Sequence, residues 1–450
     1  MRTASRYLAV SSVVVALALG AAGRTRPHYG GTLRVESHAA AADNPLLRAA
    51  VAETLVTLDS RGAPQPGLAL RWESQNGDRR WQFWLRPGVA FHDGTPLNGP
   101  AVADALAPAA ERKLPWRTVR ALGDSVVFEA DAPVSGLPAM LAGGKFAITR
   151  TSPEGTLIGT GPYKIARVAP ASQSLEAFDD HWQGRAFINA VELTGARSAH
   201  DQWMDLGVGR ADIVDVPPEV LRNAQQEHMR VVVHPDAELI ALTVNPASQQ
   251  LQDVVLRQAV AESIDRAALV NFIYQKQGDA AATLLPAAMT GYSMLFPQAR
   301  NLARARELRG QRQTALSLVV VYDADDPALQ LAAERIALNA REGGINIQAL
   351  PRSNAALARA DLFVGRFSIS SPNAASALAD LSMQITGEPV VVGESIESIY
   401  QREHELLATY RVIPLLHLPR AFAASDRVRQ WKLEPGGQPA PGGLWLEERK

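Results

Sequence analysis

At 450 residues the chain is too long for one ordinary hydrophobic core, which implies two or three domains. Its 45 Lys+Arg nearly balance 46 Asp+Glu, and a net charge of -1 supplies no field to attract nucleic acid or an anionic membrane surface, so neither is an expected partner. Cysteine is absent, which excludes a disulfide framework, a Cys-ligated metal centre, a thiol nucleophile and a lipid-modified N-terminal Cys.

In chain order, Arg2 and Arg6 precede an apolar, small-residue-rich run from Tyr7 to Ala22. That layout predicts a cleaved secretory signal over 1–23, the run being short of the roughly 20 residues a membrane span needs. Thr32 to Glu36 alternates like a strand, a short helix is expected near Asn44 to Leu55, and Leu55 to Leu58 followed by Asp59-Ser60-Arg61-Gly62 reads as a hairpin. Trp81 to Leu85 alternates as a strand, and Asn98 is placed to cap a helix from Pro100 to Ala107. Further strands are expected at Ser125 to Ala130, after the Gly159 to Ile165 turn, at Val231 to Val233 and at Leu239 to Val244. Asp253 to Tyr274 has the strongest helical periodicity. Leu316 to Tyr322, Pro327 to Glu342 and Ile345 to Leu350 form a strand–helix–strand unit, Arg411 to Leu418 is a last buried-type strand, and Pro435 to Gly443 is an irregular loop.

Five segments together identify a family. They are Gly30-Gly31-Thr32-Leu33-Arg34-Val35; Leu85 to Val89 with Phe91-His92-Asp93-Gly94-Thr95-Pro96-Leu97; Gly159-Thr160-Gly161-Pro162-Tyr163 with Asp180-His181-Trp182-Gln183-Gly184-Arg185; Leu256 to Val260 through Ser263 to Arg266; and Val412 to His417. In this order they resemble the family 5 extracellular solute-binding proteins of ABC transporters, the oligopeptide, dipeptide and nickel binders. The motif residues read as scaffold: turn-setting Gly94 and Pro96, loop-satisfying Asp93, a structural His92, Gly159 and Gly161 shaping a tight crossing between lobes, and a helix-end charge network of Arg257 and Asp265.

The resemblance implies an α/β, two-lobed, periplasmic-binding-protein-like fold of type II, with a further domain inserted in the first lobe. Lobe I would comprise 30–44, 151–238 and 418–450, the insertion 45–150, and lobe II 239–417. It also implies a monomer outside the cytoplasm, periplasmic or extracellular, that captures a small polar molecule or peptide in the interlobe cleft. An inner-membrane ABC permease is the expected partner, and neither a metal nor another cofactor is expected.

Family members in the region of Asp361 to Pro372 carry an inner Asp that pairs with a peptide's ammonium group. This chain offers Ser370 or Ser371 there and places Arg366 beside Phe367 and Ser368. A desolvated ammonium needs a counter-charge, so the change weakens the peptide reading, and an inward-facing Arg366 would suit an anion or a neutral polar ligand. Matching position adds Glu36, Ser37, His38, Asn245 and His417 as candidate ligand-binding residues. A sensor or chaperone of the same fold without a transporter, and a metal-chelate binder with His38 or His417, are the alternatives. No G-x-S-x-G, H-E-x-x-H, phosphate-loop or dinucleotide pattern points to an enzyme.

Overall fold

Alternation at Thr32–Glu36 buries Leu33 and Val35 and makes this strand the centre of lobe I, hydrogen-bonded in parallel to Ala190–Thr194 and Ile213–Val216. The structure is a computed structural model that describes residues 26–107, 114–310, 317–388, 390–433, 437 and 440–447. The expected signal segment lies outside the described residues.

One mixed sheet runs through both lobes. Its order is Tyr163–Ala169, Ser172–Ala177, Ala190–Thr194, Thr32–Glu36, Ile213–Val216, Val412–Ala424, Val231–Val244, Leu362–Ser368, Ser317–Tyr322 and Asn346–Pro351. The two strands at its centre belong to both lobes. Val231 to Val233 pair with Ala421 to Ala423 in lobe I, whereas Glu238 to Val244 pair with Leu362 to Ser368 and with Val412 to Leu418 in lobe II. The two expected strands at 231–233 and 239–244 are thus one element of 14 residues, and the last strand runs on to Ala424.

Where these strands cross, regular pairing breaks. His234 opposes Arg420 and Glu238 opposes Leu418, so three residues on one strand face Pro419 alone on the other. Proline has no amide hydrogen to give to a ladder, and Pro235 and Pro419 both fall in this gap, with Asp236 at φ 51°. A bulge of this kind ends pairing and bends the sheet.

Lobe II packs Pro327–Glu342, Ala374–Thr386 and Ile396–Ala408 around the sheet, and Leu239 to Leu242, Ile336, Leu378 and Leu416 are buried in one cluster. The insertion has its own four-stranded sheet, Ala69–Gln75, Arg80–Leu85, Ser125–Glu129 and Thr118–Leu122. Trp81, Phe83 and Leu85 point to its core, where Phe83 meets Phe128 at 5.4 Å. Asn98 caps the helix Gly99–Ala105 by accepting from the Ala101 amide at 3.0 Å.

Several details differ from expectation. The helix Pro45–Val51, placed in the insertion by sequence, buries Leu46, Leu47, Ala50 and Val51 in the lobe I cluster with Leu33 and Tyr163, so the insertion's core begins at Leu55. The helix expected from 253 to 274 is Val254–Ser263, and it ends because Ile264 turns extended and Asp265 caps a new turn by accepting from Ala268. Arg257 does not pair with Asp265; it donates to the carbonyls of Thr409, Leu251 and Gln252.

Gly159 and Gly161 lie at the junction of lobe I with the insertion rather than between the two lobes. A Cβ on Gly159 would stand 2.0 Å from the Val51 carbonyl oxygen, and one on Gly161 2.4 Å from that of Ala50. Both sides are backbone, so neither can yield cheaply. His92 stitches the same junction: its Nδ1 accepts from the Gly159 amide at 3.3 Å, which leaves Nε2–H to donate to the Gly161 carbonyl at 3.0 Å. Gly159→Ala is expected to destabilise the protein by about 1–3 kcal/mol, the range for forced overpacking. Thermal unfolding checks this, and an unchanged midpoint would contradict it.

Candidate functional site

A cavity of about 1200 Å³ lies between the lobes. Lobe I contributes Asp43, Asn44 and Arg48 from the helix Pro45–Val51 and the turn before it. Asn44 sets that helix by accepting from the Leu46 amide at 2.9 Å, and Pro45 occupies the first turn, where no amide hydrogen is needed. The insertion supplies the Gly143-Gly144-Lys145 corner, and lobe II supplies Ser370, Ser371 and one face of the helix Ala374–Thr386, including Asp380 and Gln384.

Glu53 and the Asp180-His181-Trp182 motif form the wall at the junction. The Glu53 carboxylate accepts from Thr160 Oγ1 at 2.8 Å and from Trp182 Nε1 at 3.0 Å, and faces His181 Nε2 at 3.3 Å. Its backbone carbonyl accepts from the Ile148 amide at 2.8 Å. This one acid therefore ties the insertion to lobe I and presents Trp182 to the cavity.

Among the described residues, polar contacts join the lobes around the cavity. Lys145 of the insertion is ion-paired with Asp380 of lobe II. Asn373 Nδ2 donates to the Gly62 carbonyl at 3.3 Å, and the His38 ring meets the Asp325 carbonyl at 2.8 Å. The arrangement is closed.

Of the residues singled out in the sequence, Ser370 lines the cavity, together with the alternative Ser371. Arg366, Phe367 and Ser368 lie on the strand Leu362–Ser368, whose polar side chains join a charged layer beside the strand crossing. Arg366 reaches Glu238 at 2.7 Å and Asp326 at 2.9 Å; Glu238 also accepts from Arg420 at 3.1 Å, and Arg420 donates to Ser368 Oγ at 2.7 Å. Burial alone would lower the basicity of Arg366, but the two carboxylates outweigh it and hold the guanidinium firmly cationic. Its donors are thus engaged by the chain's own acids. The Phe367 ring covers Gly365 and packs on the lobe II core.

The other candidates are placed elsewhere. Glu36, whose carboxyl is pushed up by burial, pairs with Arg197 at 3.5 Å. Ser37 Oγ donates to Ala39 O at 3.0 Å, and the His38 amide donates to Asp215 at 2.9 Å. Asn245 donates to the Ala360 carbonyl at 2.7 Å and caps the loop by accepting from Ala247. His417 is buried, its pKa pushed down by desolvation, and its ring bonds the Leu284 carbonyl at 3.1 Å. Among the described residues, no group of three or more His, Asp or Glu side chains is placed to hold a metal.

Arg48, Glu53, Lys145, Asp380 and Lys432 line the cavity without having been singled out in the sequence. One signal was available. Lysine is scarce in this Arg-rich chain, and Lys145 and Lys432 both reach the cavity.

Two lobes that share continuous strands and meet around a cavity between them define a type II solute-binding protein. The chain belongs to the bacterial extracellular solute-binding proteins, family 5, whose middle-region model matches residues 63–383. The dipeptide-binding protein of Escherichia coli K12 is 23% identical over 278 residues, which is 51% of each chain. This chain thus spans about half the length of the curated relatives it matches. Among solved structures, NikA from Staphylococcus aureus in complex with Ni(L-His)2 superposes with a TM-score of 0.77 at 17% identity, covering 93% of this chain and 98% of that one. DppA from Helicobacter pylori in complex with the peptide STSA gives a TM-score of 0.77 at 16% identity, covering 94% and 99%.

Two outcomes follow from the charged layer. Arg366→Ala leaves Glu238 and Asp326 without their shared cation and is expected to cost about 2 kcal/mol in urea unfolding, less than for a fully buried pair because all three side chains keep some exposure. Burial pushes the Asp215 carboxyl up to about 6 from its usual 3.8, against the opposing pull of the His38 amide and Arg420. A raised folded-state pKa means the folded protein binds the proton more tightly, so this group's contribution is full below about pH 4 and is lost as pH rises through about 6. Asp215→Asn is expected to remove about 1 kcal/mol of the stability gained between pH 7 and pH 5. Unfolding of both proteins at the two pH values measures it.

Proposed function

We propose that this chain is an exported binding protein that captures a small polar molecule or short peptide between its lobes and presents the closed form to an ABC permease. The observation that supports this most is the cavity itself. It lies between two bodies joined through two shared strands, and an ion pair among its lining residues, Lys145 with Asp380, links the insertion to lobe II. Such an arrangement lets ligand binding favour the closed state by its differential affinity for it. The cavity exceeds the roughly 300–1,000 Å³ of ordinary small-molecule pockets, which suits a ligand with several groups. Relatives bind a dipeptide, a nickel–histidine complex and a peptide, each a ligand with several polar groups. The reading needs no covalent step, and the expected leader at 1–23 accounts for export.

The test is mass spectrometry of small molecules released from the protein purified from its native host. A single stoichiometric species that rebinds with a change in tryptophan emission supports the reading, because Trp182 faces the cavity. A protein that releases nothing and is stabilised by no compound would sink it. With the released molecule in hand, Lys145→Ala is expected to raise its dissociation rate about tenfold, with little effect on association, because rim-to-rim closure acts on residence time. Stopped-flow fluorescence measures both rates.

A further inference from the structure

Seven ionic side chains line the cavity, and they are not equivalent. Lys145 and Asp380 pair with each other. The Glu53 carboxylate is engaged by Thr160, His181 and Trp182. Arg185 donates to Asp179 at 2.6 Å and to Asn189 at 2.8 Å, both outside the cavity lining. Arg48, Lys432 and Asp43 remain, and none has an ion partner among the described residues. Two free cations thus face one free acid.

Both cations belong to the same lobe. Arg48 follows Leu47, and Lys432 lies between Trp431 and Leu433; all three apolar neighbours pack in the lobe I cluster. The stem of Arg48 rests against the Gly144 corner, where its Cδ is 3.7 Å from the place a Cβ would occupy. Opposite them, lobe II offers the hydroxyls Ser370 and Ser371 and the amide Gln384, and its one lining acid, Asp380, is already paired. A ligand's ammonium group therefore finds no free carboxylate on lobe II, whereas an oxyanion finds two exposed cations on lobe I.

We propose that the cavity selects a ligand bearing a carboxylate or like oxyanion, anchored on lobe I by Arg48 and Lys432, and rejects ligands whose only charge is positive. This rests on the cavity being the ligand site. Arg48 can grip a carboxylate with two parallel donors, while Lys432 adds a point charge. The anion binds lobe I while the cleft is open, and lobe II closes over it with neutral polar groups.

The test has two arms. In the first, spent growth medium of the native host is separated on an anion exchanger, and each fraction is scored for the thermal shift of the full protein. The stabilising component is expected in the retained fraction; recovery in the unretained fraction would overturn the proposal. In the second, N-acetyl-Ala-Ala, Ala-Ala and Ala-Ala amide serve as anionic, zwitterionic and cationic probes of one size. The proposal expects no shift from the amide, and a shift from the amide equal to or above that of the acetylated probe overturns it. The double variant Arg48→Gln, Lys432→Gln is expected to bind the retained component at least about tenfold more weakly, one ion pair's worth of affinity. Both residues are exposed and unpaired, so its unliganded midpoint should match the wild type; if it does not fold, the wild-type fractionation alone decides. Equal affinity in a folded double variant refutes the anchor. If no fraction and no probe shifts the wild type, the binding-protein reading fails and this proposal with it; a shift from the wrong charge class defeats the charge assignment alone.

Discussion

Two lobes are held in one chain by the strands Val231–Val244 and Val412–Ala424, which cross between them. Each is hydrogen-bonded into both lobes, so the sheet is continuous in sequence while its ladder is interrupted at 234–238 and 418–420. Ladder hydrogen bonds on either side keep each lobe rigid; their absence at the crossing leaves a place that bends. The cavity lies between the two lobes that this joint connects, and the charged layer of Arg366, Glu238 and Arg420 lies beside it.

The charged layer and the cavity use charge differently. At the crossing, Arg366 and Arg420 share Glu238, with Asp326 completing the neutralisation, so the chain closes its own electrostatic circuit. Such a buried network adds little net stability but penalises any arrangement that leaves a member unpaired. In the cavity, the exposed Arg48 and Lys432 have no acid partner among the described residues. Withholding the partner is what leaves room for one from outside.

Much of the fold was legible in the sequence because it rests on local rules. Helix Pro327–Glu342 matches its expected bounds, with the structure adding Asp326 as its cap, and Thr32–Glu36 and all but the first residue of Arg80–Leu85 followed from alternation. The errors came from tertiary context. Pro45–Val51 has a helix's pattern in any domain, and only packing on Tyr163 and Leu33 assigns it to lobe I. Ile264 sits on an apolar stripe that periodicity extends, yet the helix ends before it: the Asp265 amide donates to Asn339, 74 residues away, and the Asp265 side chain caps the next turn. The site was less legible still. Arg366 was conspicuous as an Arg in place of an aromatic, but its partners lie 128 and 40 residues away. Ser370, singled out by its position in a motif, lines the cavity, whereas Arg48 and Glu53 stand in segments with no motif of their own.

The unequal strands at the crossing have a mechanical consequence. Three residues, Pro235 to Ala237, span the gap that Pro419 spans alone. The joint is therefore a flexure with one slack ligament and one taut one. Rotation of the lobes cannot stretch the taut ligament, so it serves as the pivot, while the slack one gathers or pays out length. Such a joint would bend most readily at the crossing, with the taut strand as its pivot.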